Sequence, residues 1–70
     1  MADSVYKVVE LVGTSTESWE KAAAAAIDQA SKTLRGLRVA EITELDIALE
    51  DGNISRYRAK VKLSLKVEAA

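Results

Sequence analysis

The fold is decided by residues 39–67, VAEITELDIALEDGNISRYRAKVKLSLKV. Two segments rich in aliphatic and β-branched residues flank Asp51-Gly52, and an aspartate–glycine pair in that place is a strong β-hairpin signal. The second segment alternates between apolar side chains and a row of cations: Arg56, Arg58, Lys60, Lys62 and, after Ser64, Lys66. We therefore predict two antiparallel strands, 39–50 and 54–67, that share one apolar face and one charged face.

The alternation also predicts how the two strands pair. A three-residue turn from Asp51 to Asn53, with a positive φ at Gly52 or Asn53, keeps apolar residues opposite one another, whereas a two-residue turn would mix the faces. The apolar pairs are then Ile47–Tyr57, Leu45–Ala59 and Thr43–Val61, and the charged pairs are Asp46–Arg58 and Glu44–Lys60. Much of the basic row is thus neutralised within one protomer, which disfavours a nucleic-acid surface.

The first strand of the hairpin changes phase before Thr43. Ala40 and Ile42 fall opposite the basic residues, so we expect the charged face also to carry Ala40, Ile42 and Ala48. We therefore expect a bulge or bend within residues 42–44.

The N-terminal part of the chain predicts a strand followed by a helix start. Residues 5–12, VYKVVELV, have strand composition, and Gly13 is expected to end the strand. In the following TSTE, Thr14 or Ser15 is the predicted helix N-cap and Glu17 completes a capping box.

Residues 16–35 predict a long helix. Its apolar face consists mostly of small side chains, which allow close approach to a sheet: Trp19, Ala23, Ala26, Ile27, Ala30, Leu34 and Leu37. Lys32 and Arg35 suit the last turn, and Gly36 suits the position after it.

These elements predict an α+β protomer of β-α-β-β order. The three-stranded antiparallel sheet has its last strand in the centre and packs on the one long helix, in a single domain of residues 1–70. One sheet face and two strand edges remain open, and a domain of this size is only marginally stable alone. We therefore expect it to assemble.

Composition excludes several classes of function. The 70 residues include no cysteine and no histidine, which excludes disulfides and thiolate metal sites, removes the commonest general base and argues against an enzyme. Ten cations against eleven acids argue against nucleic-acid binding. Without an apolar run of membrane-spanning length or the pattern of a secretory signal, a cytoplasmic protein is expected.

Three features could bind a ligand, and each also has a simpler explanation. The GTST segment, residues 13–16, either offers backbone N–H groups to an anion or is a capped turn. Trp19 either stacks on a flat ligand or packs in a core or interface. Four acids either bind Ca²⁺, which would need further acids from another subunit, or pair with nearby cations: Glu44, Asp46, Glu50 and Asp51.

Three segments resemble the dodecin family: the strand and turn YKVVELVGTS, the helix opening ESWEKAAAAAI, and the hairpin LRVAEI…EDG…YRAKVKL. The resemblance covers nearly the whole chain. It implies a β-α-β-β protomer in a hollow homododecamer, whose flavins are sandwiched in pairs between tryptophans at a two-fold axis and are stored or quenched rather than used in catalysis.

The resemblance also implies three positions in the flavin site. The stacking tryptophan corresponds to Val39, the glutamine that hydrogen-bonds the flavin ring corresponds to Arg58, and the acid that contacts the ribityl chain corresponds to Glu44. Only the acid is kept, since Val39 has no π-face and Arg58 cannot accept a hydrogen bond as a glutamine carbonyl can.

We therefore interpret the chain as a dodecin-like shell protein for small-ligand or ion binding or storage, with flavin binding weakened or lost. RVAEI and YRAKVKL are closer to the calcium-binding branch, so a divalent cation is a possible ligand, although the resemblance assigns no metal ligands. The alternatives are a flavin binder with an altered pocket and a purely structural assembly.

Overall fold

A computed structural model describes residues 3–67. Strand β1 (Tyr6–Ser15) leads into helix α1 (Trp19–Ser31), and strands β2 (Leu37–Glu50) and β3 (Asn53–Lys66) form the hairpin. The sheet is antiparallel with the order β1-β3-β2. The predicted β-α-β-β fold, with the last strand central, is confirmed.

The helix begins later than predicted because β1 continues past Gly13. Gly13 pairs with Ala59, and Ser15 is still paired with Tyr57. The N-cap is therefore Ser18, which has an extended backbone and accepts a 3.1 Å hydrogen bond from the Lys21 N–H through its hydroxyl. The predictions that Gly13 ends the strand and that Thr14 or Ser15 caps the helix are wrong.

The helix also ends earlier than predicted. Its last residue is Ser31, and Lys32 is the C-cap. Gly36 does adopt a positive φ of 77°, but it forms the turn into β2, where its carbonyl accepts a 3.0 Å hydrogen bond from the Lys66 N–H. Residues 33–36 therefore form a turn into β2 instead of extending the helix to Arg35.

The core lies between the alanine face of α1 and the central strand. The buried helix residues are Ala22, Ala26 and Ala30, and they meet Ala59, Val61 and Leu63 of β3. Ala26 and Ala30 face the sheet, as predicted. The buried face also includes Ala22, which was not predicted, whereas Ile27 is 36% exposed at the edge of the core. Because alanine has a short side chain, α1 lies close enough to β1 that a Cβ on Gly13 would collide with the Ala22 carbonyl oxygen.

The hairpin turn has two residues, not three. Asp51 and Gly52 have φ values of 52° and 77°, and Glu50 pairs directly with Asn53, as in a type I′ turn. Beyond the turn the register shifts between Ala48 and Leu49, where β3 contains one extra residue, Ser55. This bulge restores the predicted pairs Ile47–Tyr57 and Leu45–Ala59.

A second irregularity lies between Ile42 and Glu44, as predicted. Thr43 is skipped in the pairing, so Ile42, and not Thr43, faces Val61. Directly opposed residues share a sheet face, so Ile42 and Ala40 lie on the helix side with Val61 and Leu63. The expectation that Ala40 and Ile42 lie on the charged face is therefore wrong.

Candidate functional site

The charged side chains lie on the sheet face opposite α1, which we call the open face. The register arranges this face in rows, each crossing β1, β3 and β2 in that order. From one end to the other the rows are Val8–Ser64–Val39, Glu10–Lys62–Glu41, Val12–Lys60–Glu44 and Thr14–Arg58–Asp46. Acids of β2 thus lie beside cations of β3 on this face. This arrangement matches the predicted division of the hairpin into one apolar face and one charged face.

The three positions singled out from the sequence all lie on the open face. Glu44 and Arg58 are in adjacent rows, whereas Val39 is three rows from Arg58. Its row partner is six residues from Arg58 along β3, which is roughly 20 Å at the usual rise per residue. One protomer therefore brings Glu44 and Arg58 together but leaves Val39 apart from them.

Arg58 is held by Asp46 on the same face. Its Nε lies 2.7 Å from Asp46 Oδ1, and its Nη2 lies 3.4 Å from Oδ2. In the next row Lys60 Nζ lies 2.8 Å from Glu44 Oε1. Both predicted cross-strand pairs are confirmed.

These ion pairs shift the protonation equilibria of their members. The hydrogen bond from Arg58 is the main reason that the pKa of Asp46 lies below its ordinary value of 3.8. The hydrogen bond to Glu44 is the main reason that the pKa of Lys60 lies above its ordinary value of 10.5. All four groups are at least one-third exposed, so water screens each pair strongly.

We expect the Asp46–Arg58 pair to give the protein a small acid-dependent stability. Because folding lowers the pKa of Asp46, its contribution is complete above pH 3.8 and is lost as the pH falls through the folded value. Denaturant unfolding at stepped pH should show this loss in the wild type and not in Asp46→Asn. The control Asp51→Asn removes a turn carboxylate and should keep the loss, while an unchanged acid profile in Asp46→Asn would contradict the assignment.

Trp19, the first residue of α1, joins the helix to this part of the sheet. Its indole Nε1–H donates a 3.0 Å hydrogen bond to the backbone carbonyl of Asp46. Its ring meets Tyr57 edge-on, with centroids 5.2 Å apart and planes at 72°. Tyr57 therefore lies on the helix side, as predicted, and Trp19 has the packing role that the sequence left open.

The structure does not favour the anion site or the metal site that the sequence left open. Thr14 and Ser15 are paired within β1, so GTST is not the free helix start that an anion site there would need. Glu44 and Asp46 are each engaged by a cation. Within residues 3–67, no group of three or more histidine, cysteine or acidic side chains is close enough to hold a metal ion.

An apolar groove of about 530 Å³ runs along the other side of the sheet, between α1 and β2. Trp19 and Ile27 line it from the helix, and Ile42 and Leu45 line it from the strand. Ile42 reaches the groove because of the bulge at Thr43. In the part of the chain that the structure describes, no helix has the length and apolar character needed to cross a membrane.

The fold and its open face define a class of small β-α-β-β protomers. A family model described as Dodecin matches residues 5–68, and the chain belongs to the dodecin family. Dodecins are ligand-binding proteins and not enzymes, so the prediction that this chain is not an enzyme is confirmed.

Similarity to individual proteins extends over nearly the whole chain. The calcium dodecin of Mycobacterium tuberculosis is 42% identical over 67 residues, which are 96% of this chain and 94% of that protein. The crystal structure of that calcium-chelating antigen, described as having a novel calcium-binding site, superposes with a TM-score of 0.82 at 43% identity, covering 96% of each chain. The dodecin of Streptomyces coelicolor superposes with a TM-score of 0.90 at 34% identity over the full length of both chains.

Proposed function

We propose that this chain is the subunit of a hollow homododecameric shell that binds or stores a small ligand or ion and has weak or no affinity for flavin. The observation that carries the proposal is the chemistry of the open face. By the family resemblance Val39 corresponds to the stacking tryptophan and Arg58 to the glutamine, and Val39 has 56% of its surface exposed.

The state of Arg58 supports the loss of flavin affinity. A glutamine at this position offers a neutral donor and acceptor, whereas arginine offers donors only. Asp46 already engages two of those donors, so a ligand that uses the guanidinium must compete with a carboxylate. Glu44 is kept, but Lys60 occupies one of its oxygens.

The separation along β3 supports a site that two subunits share. A flavin ring system cannot span the roughly 20 Å between the Val39 row and the Arg58 row of one protomer. Positions 39 and 58 line one pocket only if they come from different copies, as in the two-fold arrangement that the family resemblance implies. The ligand site is then a product of assembly.

Calcium is the second candidate ligand, and the similarity to the calcium dodecin of M. tuberculosis favours it. Ca²⁺ binds through six to eight oxygen atoms. Three of the four acids of β2 follow one another along the open face, Glu41, Glu44 and Asp46. Glu44 and Asp46 are neutralised by cations of the same protomer. We therefore place any calcium site where acids of several subunits meet.

The apolar surface of the protomer supports assembly. Near the hairpin turn, Leu49 and Ile54 are 66% and 57% exposed, and they are followed along β2 by Ile47 and Leu45. Strands β1 and β2 both have an unpaired edge. Exposed apolar side chains beside open strand edges are typical of a surface that another chain covers.

We expect native mass spectrometry from mild buffer to show twelve copies of the 7.6 kDa chain without bound flavin. Metal analysis of the same preparation should show calcium if the calcium candidate is correct. A yellow preparation that carries flavin would contradict the loss of flavin binding. A stable folded monomer at micromolar concentration in sedimentation would contradict the shell.

A further inference from the structure

Asp46 is engaged from both sides of the sheet. Its carboxylate holds Arg58 on the open face at 2.7 Å. Its backbone carbonyl accepts the Trp19 indole N–H at 3.0 Å on the side of the helix. A single residue of β2 thus connects the first turn of α1 to the guanidinium at the proposed ligand position.

The local structure of β2 gives the indole bond its importance. Within one protomer β2 is an edge strand, so its outer backbone groups have no strand partner among residues 3–67. The bulge at Thr43 interrupts its pairing just before Asp46, and bulges bend and twist a strand locally. Within residues 3–67, Trp19 makes the only side-chain hydrogen bond from α1 to β2.

Tyr57 fixes the indole from the other strand. It is paired with Ile47 and precedes Arg58, and its ring is in edge contact with Trp19. Trp19 therefore contacts Tyr57, the neighbour of Arg58 in β3. It also hydrogen-bonds Asp46, the partner of Arg58 in β2. Both strands that present the ion pair are anchored to one side chain.

We propose that Trp19 is a positioning residue for the ligand site on the open face, acting through Asp46 to keep Arg58 engaged and turned away from a ligand. The proposal rests on the proposed function only for the location of the site. By linkage, a coupling of this kind is reciprocal. Releasing Arg58 must then change the surroundings of the indole, and removing the indole N–H must weaken the ion pair.

Trp19 is the only tryptophan of the chain, so its fluorescence reports on this coupling directly. We expect Arg58→Gln to shift the emission maximum of the assembled protein. Arg58→Lys can still pair with Asp46, so it should shift the emission maximum less. Lys60→Gln is the matched control. It removes one cation and one ion pair from the same strand and face, and it should leave the emission maximum unchanged.

The reciprocal arm uses Trp19→Phe, which keeps an aromatic edge for Tyr57 and loses the N–H donor. Arg58→Gln should lower the denaturant midpoint of unfolding less in the Trp19→Phe background than in the wild type. If Trp19→Phe does not fold, the emission arm decides alone. Equal emission shifts in Arg58→Gln and Lys60→Gln, or no shift in either, would overturn the proposal. Neither arm involves flavin or calcium, so the coupling and the proposed function can fail separately.

Discussion

Gly13→Ala should destabilise the protein more than an alanine at Gly36 or at Gly52. An ideal Cβ at Gly13 would collide with the Ala22 carbonyl oxygen and would lie 2.9 Å from the Ala22 carbonyl carbon and 3.0 Å from Ala26 Cβ. The obstacle is helix backbone, so no side chain can rotate away. The helix must move outward from the sheet, which opens the alanine–valine core, and we expect a loss of about 3 kcal/mol in the free energy of unfolding.

Gly52→Ala is the control for this experiment. Gly52 has a φ of 77°, but its Cβ would meet nothing within 4 Å, so only the left-handed backbone is penalised, at about 1 kcal/mol. Denaturant unfolding at one fixed chain concentration compares the two variants, because assembly makes the stability depend on concentration. If the two substitutions cost the same, the close approach of α1 to β1 is not a determinant of the fold.

Val39→Trp combined with Arg58→Gln should restore flavin binding. The tryptophan supplies apolar burial worth about 2 kcal/mol and stacking worth about 1 kcal/mol, and the two together correspond to roughly a hundredfold in Kd. The glutamine supplies a neutral donor and acceptor. Titration of riboflavin with the double variant should quench the flavin fluorescence, whereas the wild type should quench it little because position 39 carries no aromatic ring.

Arg58→Gln alone is the matched control for the rescue. It frees Asp46 but supplies no aromatic wall, so it should leave riboflavin fluorescence nearly unquenched and should weaken the assembly. Tight, quenched binding by the wild type would show that the site was never lost. A double variant that assembles and remains silent would show that the ligand pocket lies elsewhere.

The charged pairs could be predicted from the sequence, but the turn that precedes them could not. Acids alternate with apolar residues in β2, and cations alternate with apolar residues in β3. This alternation defines which residues oppose one another, and it correctly predicts the pairs Asp46–Arg58 and Glu44–Lys60. A three-residue turn and a two-residue turn followed by a bulge at Ser55 produce the same pairing beyond Ala48. The hydrophobic pattern therefore cannot distinguish them.

The helix ends and the indole contact were missed for different physical reasons. TSTES offers several good N-cap residues, and the choice of Ser18 depends on how far β1 pairs with β3, which is a tertiary effect. The bond from Trp19 to Asp46 spans 27 positions and involves a backbone carbonyl. No side-chain pattern at Asp46 signals it, and only the fold brings the two residues together.

The bulge at Ser55 has a consequence for how this hairpin tolerates insertions and deletions. It takes up one residue between the turn and the ion pairs, so the length of the turn is uncoupled from the register of the strands beyond it. A residue gained in the turn can be offset by loss of the bulge, and Asp46 still meets Arg58. Among relatives with this hairpin, we expect length changes to be tolerated near residues 51–55 and not on the far side of Arg56.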